Sequence, residues 1–247
     1  MRVALLVTCL AEAFAPQVAD AAAQLVASTG ADVEVVPIAA RCCGQPAWNA
    51  GYPAEARILA RSLIPALEGF DRIVVPSGSC ATMLIRYYPH VLPEGDPLAE
   101  AARSVARRTS ELTAFLAEHL PAETPSGEER PAVAFHPSCH SLRGAGVGRS
   151  GERCLEACGC DVRRTADAEE CCGFGGLFAV KEDGLSVAMA DRKLDGLLGS
   201  GADLVTAGEL GCLLHLEGRA RRRGLYLRFR HVAEVLAERR ASGGARP

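Results

Sequence analysis

The sequence predicts an α/β protein of two similar lobes, each a small parallel sheet flanked by helices, related by a pseudo-twofold axis. Three observations support this fold: strand-like apolar runs alternate with helix-like segments, a cysteine spacing pattern occurs twice, and an acidic Pro-rich stretch separates the halves. Strands that alternate with helices are typical of parallel sheets with right-handed crossovers. The predicted division is a first lobe at 1–120, a linker at 121–130 and a second lobe at 131–247.

In the first half, three short apolar runs predict strands, and the segments between them have helical periodicity. Pro53 suits the first turn of its helix, because the N–H that proline lacks has no partner within the helix there. The strands are expected at 2–8, 32–36 and 71–75, and the helices at 16–28, at 53–67 and from about residue 81.

The second half repeats this order of elements. The segment 226–230 (YLRFR) alternates as an edge strand does, and it ends a stretch with six arginines, Arg219 to Arg230. This stretch is read as a solvated face or a dock for an acidic partner, in preference to an RNA-binding surface. Strands are expected at 131–135, 161–164 and 203–206, and helices near 150–158, at 184–198 and from about residue 210.

Composition and charge exclude several classes of protein. The chain has 247 residues, of which 49% are hydrophobic, so it can bury a core. Its formal net charge of −3 gives no general attraction to nucleic acid. No apolar run approaches the roughly 20 residues of a transmembrane segment, and neither a GxGxxG fingerprint nor a P-loop indicates a nucleotide site.

Cysteine is the residue type that sets this composition apart. Of the eleven cysteines, eight form one pattern twice, with gaps of 33, 1 and 37 residues in the first half and 32, 1 and 40 in the second. Such agreement indicates an internal duplication. The first set is Cys9, Cys42, Cys43 and Cys80, and the second set is Cys139, Cys171, Cys172 and Cys212.

Each set follows the ends of three successive predicted strands. The carboxyl ends of parallel strands share one edge of a sheet, where ligands usually bind. We therefore expect the four sulfurs of each set to meet at such an edge. Cys154, Cys158 and Cys160 have no counterparts in the first half and are interpreted as buried or incidental thiols.

The N-terminal segment resembles a signal peptide with a cleavage site after Ala15. Cleavage there would remove Cys9, one of the eight matched cysteines, and Glu12 interrupts the apolar run. An odd number of cysteines in a chain of this size also argues against a secreted disulfide framework. We expect a cytoplasmic protein whose thiolates bind a metal.

The adjacent pairs Cys42-Cys43 and Cys171-Cys172 discriminate among metal sites. Structural zinc sites usually close with C-x₂₋₄-C pairs, and adjacent cysteines are cramped around one ion. An iron–sulfur cluster is wider, so neighbouring thiolates reach different irons. Gly44 and Gly173 follow the pairs, and we predict that backbone amides approach the cofactor there. A vicinal disulfide switch is the third alternative, but it leaves the other four cysteines unexplained.

Polar residues flank the first cysteine of the second set. His136, His140 and Arg143 are candidate catalytic residues: a histidine as acid or base or as a donor to a cluster sulfur, and the arginine as partner of a substrate carboxylate. The alternative is that they serve as cap, surface or packing residues. The bend at 174–176 (FGG) is interpreted as an amide nest around a cluster or as a simple turn.

Two copies of C-x(n)-C-C-G-x(m)-C resemble the cysteine-rich CCG domains found in one of the subunits of heterodisulfide reductase and in the iron–sulfur subunit of glycolate oxidase. The repeats close with Ser77-Gly78-Ser79-Cys80 and Gly211-Cys212-Leu213, and no ferredoxin module is added. With these features the chain most resembles the lactate utilization protein A family, over nearly its whole length.

The resemblance implies an iron–sulfur electron-transfer subunit, an oxidoreductase component that acts with two partner proteins in oxidising L-lactate to pyruvate. One partner carries ferredoxin-type clusters, and the 2-hydroxy acid is met through the partners. Each cysteine set would hold one 4Fe–4S cluster. The heterodisulfide reductase pattern ends in C-x-x-C, whereas Ser77 and Glu209 stand at the matching positions here, so its noncubane cluster is not implied.

Two other functions stay open at this point. One is electron transfer for another substrate, in glycolate oxidation or heterodisulfide reduction. The other is a zinc-stabilised interaction protein without enzymatic activity. No flavin or nicotinamide motif is present, and the oxidation of an alcohol needs such a cofactor. Lactate oxidation by the isolated chain is therefore not expected.

Overall fold

The computed structural model describes residues 1–36, 42–120, 130–165, 167–202 and 204–244. Its first lobe is a parallel sheet of β1 (Arg2–Leu6), β2 (Asp32–Val36), β3 (Arg72–Val75) and β4 (Thr109–Glu111). The strand order is β2-β1-β3-β4, and Leu5 of β1 lies opposite both Val35 and Val74. The helices are α1 (Cys9–Phe14), α2 (Gln17–Ala27), α3 (Gln45–Asn49), α4 (Pro53–Leu63), α5 (Gly78–Thr82), α6 (Tyr88–Val91), α7 (Ala99–Arg108) and α8 (Leu112–His119).

The second lobe has the same strand order. Its strands β5 (Ala132–His136), β6 (Asp161–Arg163), β7 (Leu204–Ala207) and β8 (Arg228–His231) pair in parallel in the order β6-β5-β7-β8. The helices are α9 (Ser150–Ala157), α10 (Phe178–Lys181), α11 (Asp183–Gly199), α12 (Leu210–Arg222) and α13 (Val232–Gly244). A π-helical turn at His140–Ala145 stands where the first lobe has α1. The predicted fold class, two similar lobes with parallel sheets, is confirmed.

The alternation of side chains along the central strands divides the core in three. Val3 and Leu5 of β1 face a central core that they share with Val133 and Phe135 of β5. The intervening residues face an outer core in each lobe, and these outer cores contain the buried cysteines of the two sets. Burial of each large apolar side chain stabilises the fold by roughly 1.5–3 kcal/mol. The alternation of these side chains along β1 and β5 therefore fixes which face of each sheet lies in the outer core with the cysteines.

The lobes join through helices that lie between the two sheets. Helix α2 of the first lobe packs on α13 of the second, and α8 of the first packs on α9 of the second. Because α2 corresponds to α9 and α8 corresponds to α13, these contacts are reciprocal. Reciprocal packing is what a pseudo-twofold axis between the lobes requires.

The observed elements match most of the predicted ones. The strand expected at 2–8 ends at Leu6, because α1 begins at Cys9, and segment 226–230 forms the edge strand β8. The predicted linker at 121–130 lies outside the described residues except for Arg130, so the domain division stays a prediction. Among the helices of the described residues, none combines the length and hydropathy that a bilayer-spanning segment needs.

A buried polar contact links the two lobes beside the pseudo-twofold axis. The Ser77 hydroxyl and the Ser79 backbone N–H donate hydrogen bonds to Oε2 of Glu209, at 2.9 and 2.7 Å. Buried polar groups need such partners, because an unpaired one costs about 1–3 kcal/mol. Ser77 and Glu209 occupy the same position of the two repeats and therefore hold the repeats together.

Gly78 lies where the lobes approach most closely. A Cβ atom at this position would lie 2.9 Å from the Ser141 backbone nitrogen and closer still to its hydroxyl. We expect Gly78→Ala to lower the free energy of unfolding by about 1–3 kcal/mol, because the lobes must move apart. Chemical denaturation measures this change. Gly184→Ala is the matched control: no atom lies within 4 Å of its Cβ position, so it should leave stability unchanged or raise it by up to about 1 kcal/mol.

Glu111 gives the stability a pH dependence. Its carboxylate caps α8 by accepting hydrogen bonds from the Thr113 and Ala114 backbone. Burial, with a smaller contribution from Glu209, raises the pKa of Glu111 to about 7, against about 4.3 in an unfolded chain. Its protonated form is favoured by folding, so this stabilisation is complete below about pH 4.3 and is lost as the pH rises through 7. In urea titrations from pH 5 to 8, Glu111→Gln should become progressively more favourable relative to the parent; a constant difference would contradict this.

Candidate metal centres

The fold brings each set of four cysteines to the carboxyl edge of one sheet. From β1 the chain passes to β2 on one side of it and then returns to β3 on the other side. This reversal makes a topological switch point, where ligands typically bind. Cys9 and Cys80 lie in the first turns of α1 and α5, capped by Thr8 and Ser77. Cys42 and Cys43 follow β2, and the second lobe repeats the arrangement.

The four thiols of the first set form a connected row. The sulfurs of Cys43 and Cys80 are 3.1 Å apart. The Cys43 thiol donates to the Cys80 sulfur, and contacts with Cys43 and Cys9 lower the pKa of Cys42 to about 2. The same contacts with Cys42 raise the pKa of Cys9 and of Cys43. A cation bound at this row would favour deprotonation of the thiols that these contacts keep protonated.

The second set has the same geometry. The sulfurs of Cys172 and Cys212 are 3.0 Å apart. The Cys172 thiol donates to the Cys212 sulfur, and contacts with Cys139 and Cys172 lower the pKa of Cys171 to about 2. The pKa of Cys139 and of Cys172 is raised by these contacts with Cys171. The structure thus brings together all eight cysteines that the repeat predicted, as two sets of four.

Gly44 and Gly173 direct backbone amides toward the sulfurs. Their N–H groups lie 3.4 Å from the sulfurs of Cys42 and Cys171. Both glycines have a left-handed backbone, with φ of 88° and 89°, and a Cβ at Gly173 would lie 2.5 Å from the Ser186 carbonyl oxygen. Only glycine fits this conformation without strain. The positions predicted to approach a cofactor do donate to cysteine sulfur.

The glycine-rich bend of the second repeat adds one more donor. The Phe174 N–H lies 3.4 Å from the Cys172 sulfur, and Gly175 and Gly176 continue the bend with left-handed backbones. Successive amides that face an electron-rich atom are characteristic of a nest. The Phe174 donor favours the nest over a simple turn at 174–176, and a nest around a cluster stays a prediction.

The four sulfurs of the first set are not gathered around one point. Within the described residues, no three thiols of the first set have all their sulfurs within 4.8 Å of one another. A single tetrahedral zinc ion holds its four sulfurs within about 4 Å of one another. The donor chemistry, four thiols with amide donors behind them, fits a metal or iron–sulfur centre. All eleven cysteines are free thiols.

His136 lies beneath the second set. It is 2% exposed, and neither ring nitrogen has a hydrogen-bond partner among the described residues. A ring nitrogen and the sulfurs of Cys172 and Cys212 all lie within 4.8 Å of one another. Burial, together with Lys193 nearby, lowers the pKa of His136 to about 3, so the ring is neutral. This position favours contact with a bound centre over contact with a small-molecule substrate.

The other two candidate catalytic residues lie nearer the surface. His140 is partly buried, with Nδ1 3.9 Å from the Cys139 sulfur. Arg143 is exposed, and its guanidinium donates to the Glu169 carbonyl oxygen at 3.4 Å. Either side chain can meet a solute at the margin of the second site, and their catalytic role stays a prediction.

Lys193 is a site residue that the sequence reasoning missed. It is 2% exposed, and its ammonium donates to the backbone carbonyl oxygens of Asp167 and Ala168 beside the second cysteine pair. A signal existed, because Lys193 interrupts the buried face that Ala190, Leu194 and Leu197 form along α11. A lysine on an apolar helix face indicates a specific buried partner.

The remaining cysteines and the arginine-rich stretch have ordinary structural roles. Cys154, Cys158 and Cys160 are buried in the central core, and the Cys154 thiol lies 3.6 Å from the Thr113 carbonyl oxygen. Arg219 forms a bidentate ion pair with Asp191 at 2.7 Å, and Arg221 pairs with Glu217. These contacts are those of a solvated, paired surface.

Two segments of the chain match the model of one domain family. The family is described as the CCG cysteine-rich domain, and the matched residues are 3–85 and 133–217. Each segment contains one complete cysteine set. Among solved structures, allantoin racemase from Pseudomonas fluorescens covers 98% of this chain and 90% of its own at 12% identity, with a TM-score of 0.30. That similarity is too low to indicate a shared site.

Curated relatives match nearly the whole chain. Lactate utilization protein A 2 of Bacillus cereus is 37% identical over 239 residues, which cover 96% of this chain and 98% of the relative. Lactate utilization protein A of Bacillus cytotoxicus is 38% identical over 240 residues, which cover 97% of this chain and 100% of the relative. The protein therefore belongs to the CCG cysteine-rich domain family and, within it, to the lactate utilization protein A family.

Proposed function

We propose that this protein is an iron–sulfur electron-transfer subunit of a multi-protein system that oxidises L-lactate to pyruvate. The observation that carries the proposal is the convergence of two four-thiol sets at equivalent positions of two lobes. The relatives' name, lactate utilization protein A, supports the substrate. Two sites of one electron each also match the two electrons that one lactate releases.

In this proposal each repeat holds one 4Fe–4S cluster, which takes up and releases single electrons when bound. The cysteine thiolates bind the irons. The N–H groups of Gly44, Gly173 and Phe174 donate to sulfur and stabilise negative charge there. Leu6 and Leu213 line the outer cores beside the cysteines and keep water from the inner side of each site.

The residues at the C-x-x-C position support a cubane with four thiolate ligands. Ser77 and Glu209 occupy the place of a fifth cysteine and hydrogen-bond to each other across the lobes. The Glu209 carboxylate is engaged by Ser77 and Ser79 and is not offered to a metal. The noncubane chemistry of heterodisulfide reductase therefore has no fifth ligand here.

The proposal places the oxidation of lactate itself in partner subunits. The chain carries no flavin or nicotinamide motif, and oxidation of an alcohol, by hydride removal or through a carbanion, needs such a cofactor. Cys9 is exposed at the first site, and Phe14, Leu177 and Val180 are exposed apolar side chains of the cysteine-bearing segments. We assign these exposed apolar side chains to the contacts with the partners. The proposed partners are a ferredoxin-like iron–sulfur protein and one further subunit.

The free thiols support a reducing compartment as the location of the protein. Disulfides form and persist in oxidising compartments and are rare in the cytosol. Eleven free cysteines, two pairs of them with sulfurs 3.0 and 3.1 Å apart, fit a cytoplasmic protein.

Loss of one ligand per site tests the metal assignment. Anaerobically purified protein should contain about eight irons and eight sulfides per chain, as two four-iron cubanes require. We expect Cys43→Ser and Cys172→Ser each to lose about half of both, and the double variant to lose nearly all. Iron, zinc and acid-labile sulfide assays measure this. Cys154→Ala, a buried thiol outside both sets, is the control and should keep full iron. Full retention of iron in both serine variants, or stoichiometric zinc without sulfide, would refute the assignment.

Growth of a deletion strain tests the substrate. Without this chain the host should fail to grow on L-lactate and should grow normally on glycolate. A plasmid copy carrying Cys154→Ala should restore growth on lactate, and a copy carrying Cys43→Ser and Cys172→Ser should not. A growth defect on glycolate alone would assign the protein to glycolate oxidation. Normal growth on both lactate and glycolate would exclude both substrates.

A further inference from the structure

The two sites differ at one position of their central strands. β1 and β5 both end three residues before the first cysteine of their set, at Leu6 and His136. Leu6 is fully buried in the outer core with Cys43 and Cys80. His136 is 2% exposed, and its ring lies against the corresponding sulfurs of the second lobe. The position that holds an apolar leucine side chain in the first site therefore holds an imidazole in the second.

A second difference lies on the second helix after each cysteine pair, α4 in the first lobe and α11 in the second. The Cβ position of Gly44 faces the Ala56 carbonyl oxygen, and that of Gly173 faces the Ser186 carbonyl oxygen, so Ala56 and Ser186 correspond. Seven residues further along, Leu63 in the first lobe corresponds to Lys193 in the second. Leu63 is fully buried, and Lys193 is 2% exposed. Two apolar residues of the first lobe are thus replaced by two nitrogen bases.

We propose that His136 and Lys193 give the second site a higher reduction potential than the first, so that an electron shared within the chain resides in the second lobe. This inference rests on the proposed function, because it requires a redox centre at each site. The electron balance is simple: the reduced first site loses one electron and the oxidised second site gains it.

His136 acts through a hydrogen bond. An imidazole carries at least one N–H whether neutral or charged. Within the described residues neither ring nitrogen has a partner, and the buried ring faces the sulfurs of Cys172 and Cys212. A sulfur of a bound centre is the acceptor that this geometry offers. Such a bond strengthens as negative charge accumulates on sulfur, so it stabilises the reduced form.

Lys193 acts through its charge. Its ammonium interacts electrostatically with Cys171 and Cys172, and in the buried outer core this attraction is less screened than in water. Asp167 and Glu170 also interact with Lys193 and offset part of this charge. Substitution of His136 therefore gives the clearer test. The first lobe indicates which residue to introduce in each variant, because Leu6 and Leu63 occupy the equivalent positions there.

The test compares the two sites one at a time. Cys172→Ser leaves the first site and Cys43→Ser leaves the second, and each protein is titrated with dithionite and mediators while the EPR signal is followed. We expect the protein that keeps the second site to be reduced at the higher potential. His136→Leu in that background should shift the potential downward toward that of the first site, and Lys193→Leu should shift it in the same direction.

Leu6→His in the protein that keeps the first site is the reciprocal variant, and an upward shift is expected. It keeps the inference testable if His136→Leu does not fold. Equal potentials of the two single-site proteins, or no shift in either histidine exchange, would overturn the inference. Loss of iron from the second site in His136→Leu would also overturn it, by making His136 a ligand.

Iron and sulfide assays separate this outcome from failure of the proposed function. If neither single-site protein contains iron and sulfide, the proposed function fails. If both proteins contain them and the potentials coincide or do not move, only the present inference fails.

Discussion

The constraint on which the rest of the structure depends is that parallel strands end at a common edge. Sulfurs 33 and 37 residues apart meet in the first lobe because β1, β2 and β3 all release the chain on the same side of one sheet. The capped first turns of α1 and α5 and the left-handed glycine after each cysteine pair then aim the thiols and amides. A sheet of antiparallel strands would send alternate cysteines to opposite edges.

Duplication of this unit created an interface as well as a second site. The position that carries a fifth cysteine in the heterodisulfide reductase pattern is occupied here by Ser77 in one repeat and Glu209 in the other, and the two side chains bind each other. Gly78 lets the turns that carry the cysteines come into backbone contact. The same short segment therefore serves the metal centre on one side and the joint between lobes on the other.

The sequence predicted the features that repeat and missed those that depend on packing. Long apolar runs and the doubled cysteine spacing were sufficient for the two sheets and both sets of thiols. Helices α1 and α3 are too short to show a period, and the edge strand β4 has three residues without a hydrophobic side chain. The burial of Lys193 and the pairing of Ser77 with Glu209, 132 positions away, arise only when distant elements meet. No local pattern encodes such contacts.

The reciprocal packing of the central helices also sets an order of events during synthesis. Each cysteine set is completed within its own half of the chain, by Cys80 and by Cys212. The central core instead needs α13 of the second lobe to cover α2 of the first. Contacts of such large sequence separation form late. The α2 surface of the first lobe therefore stays uncovered until α13 has been made and packs against it.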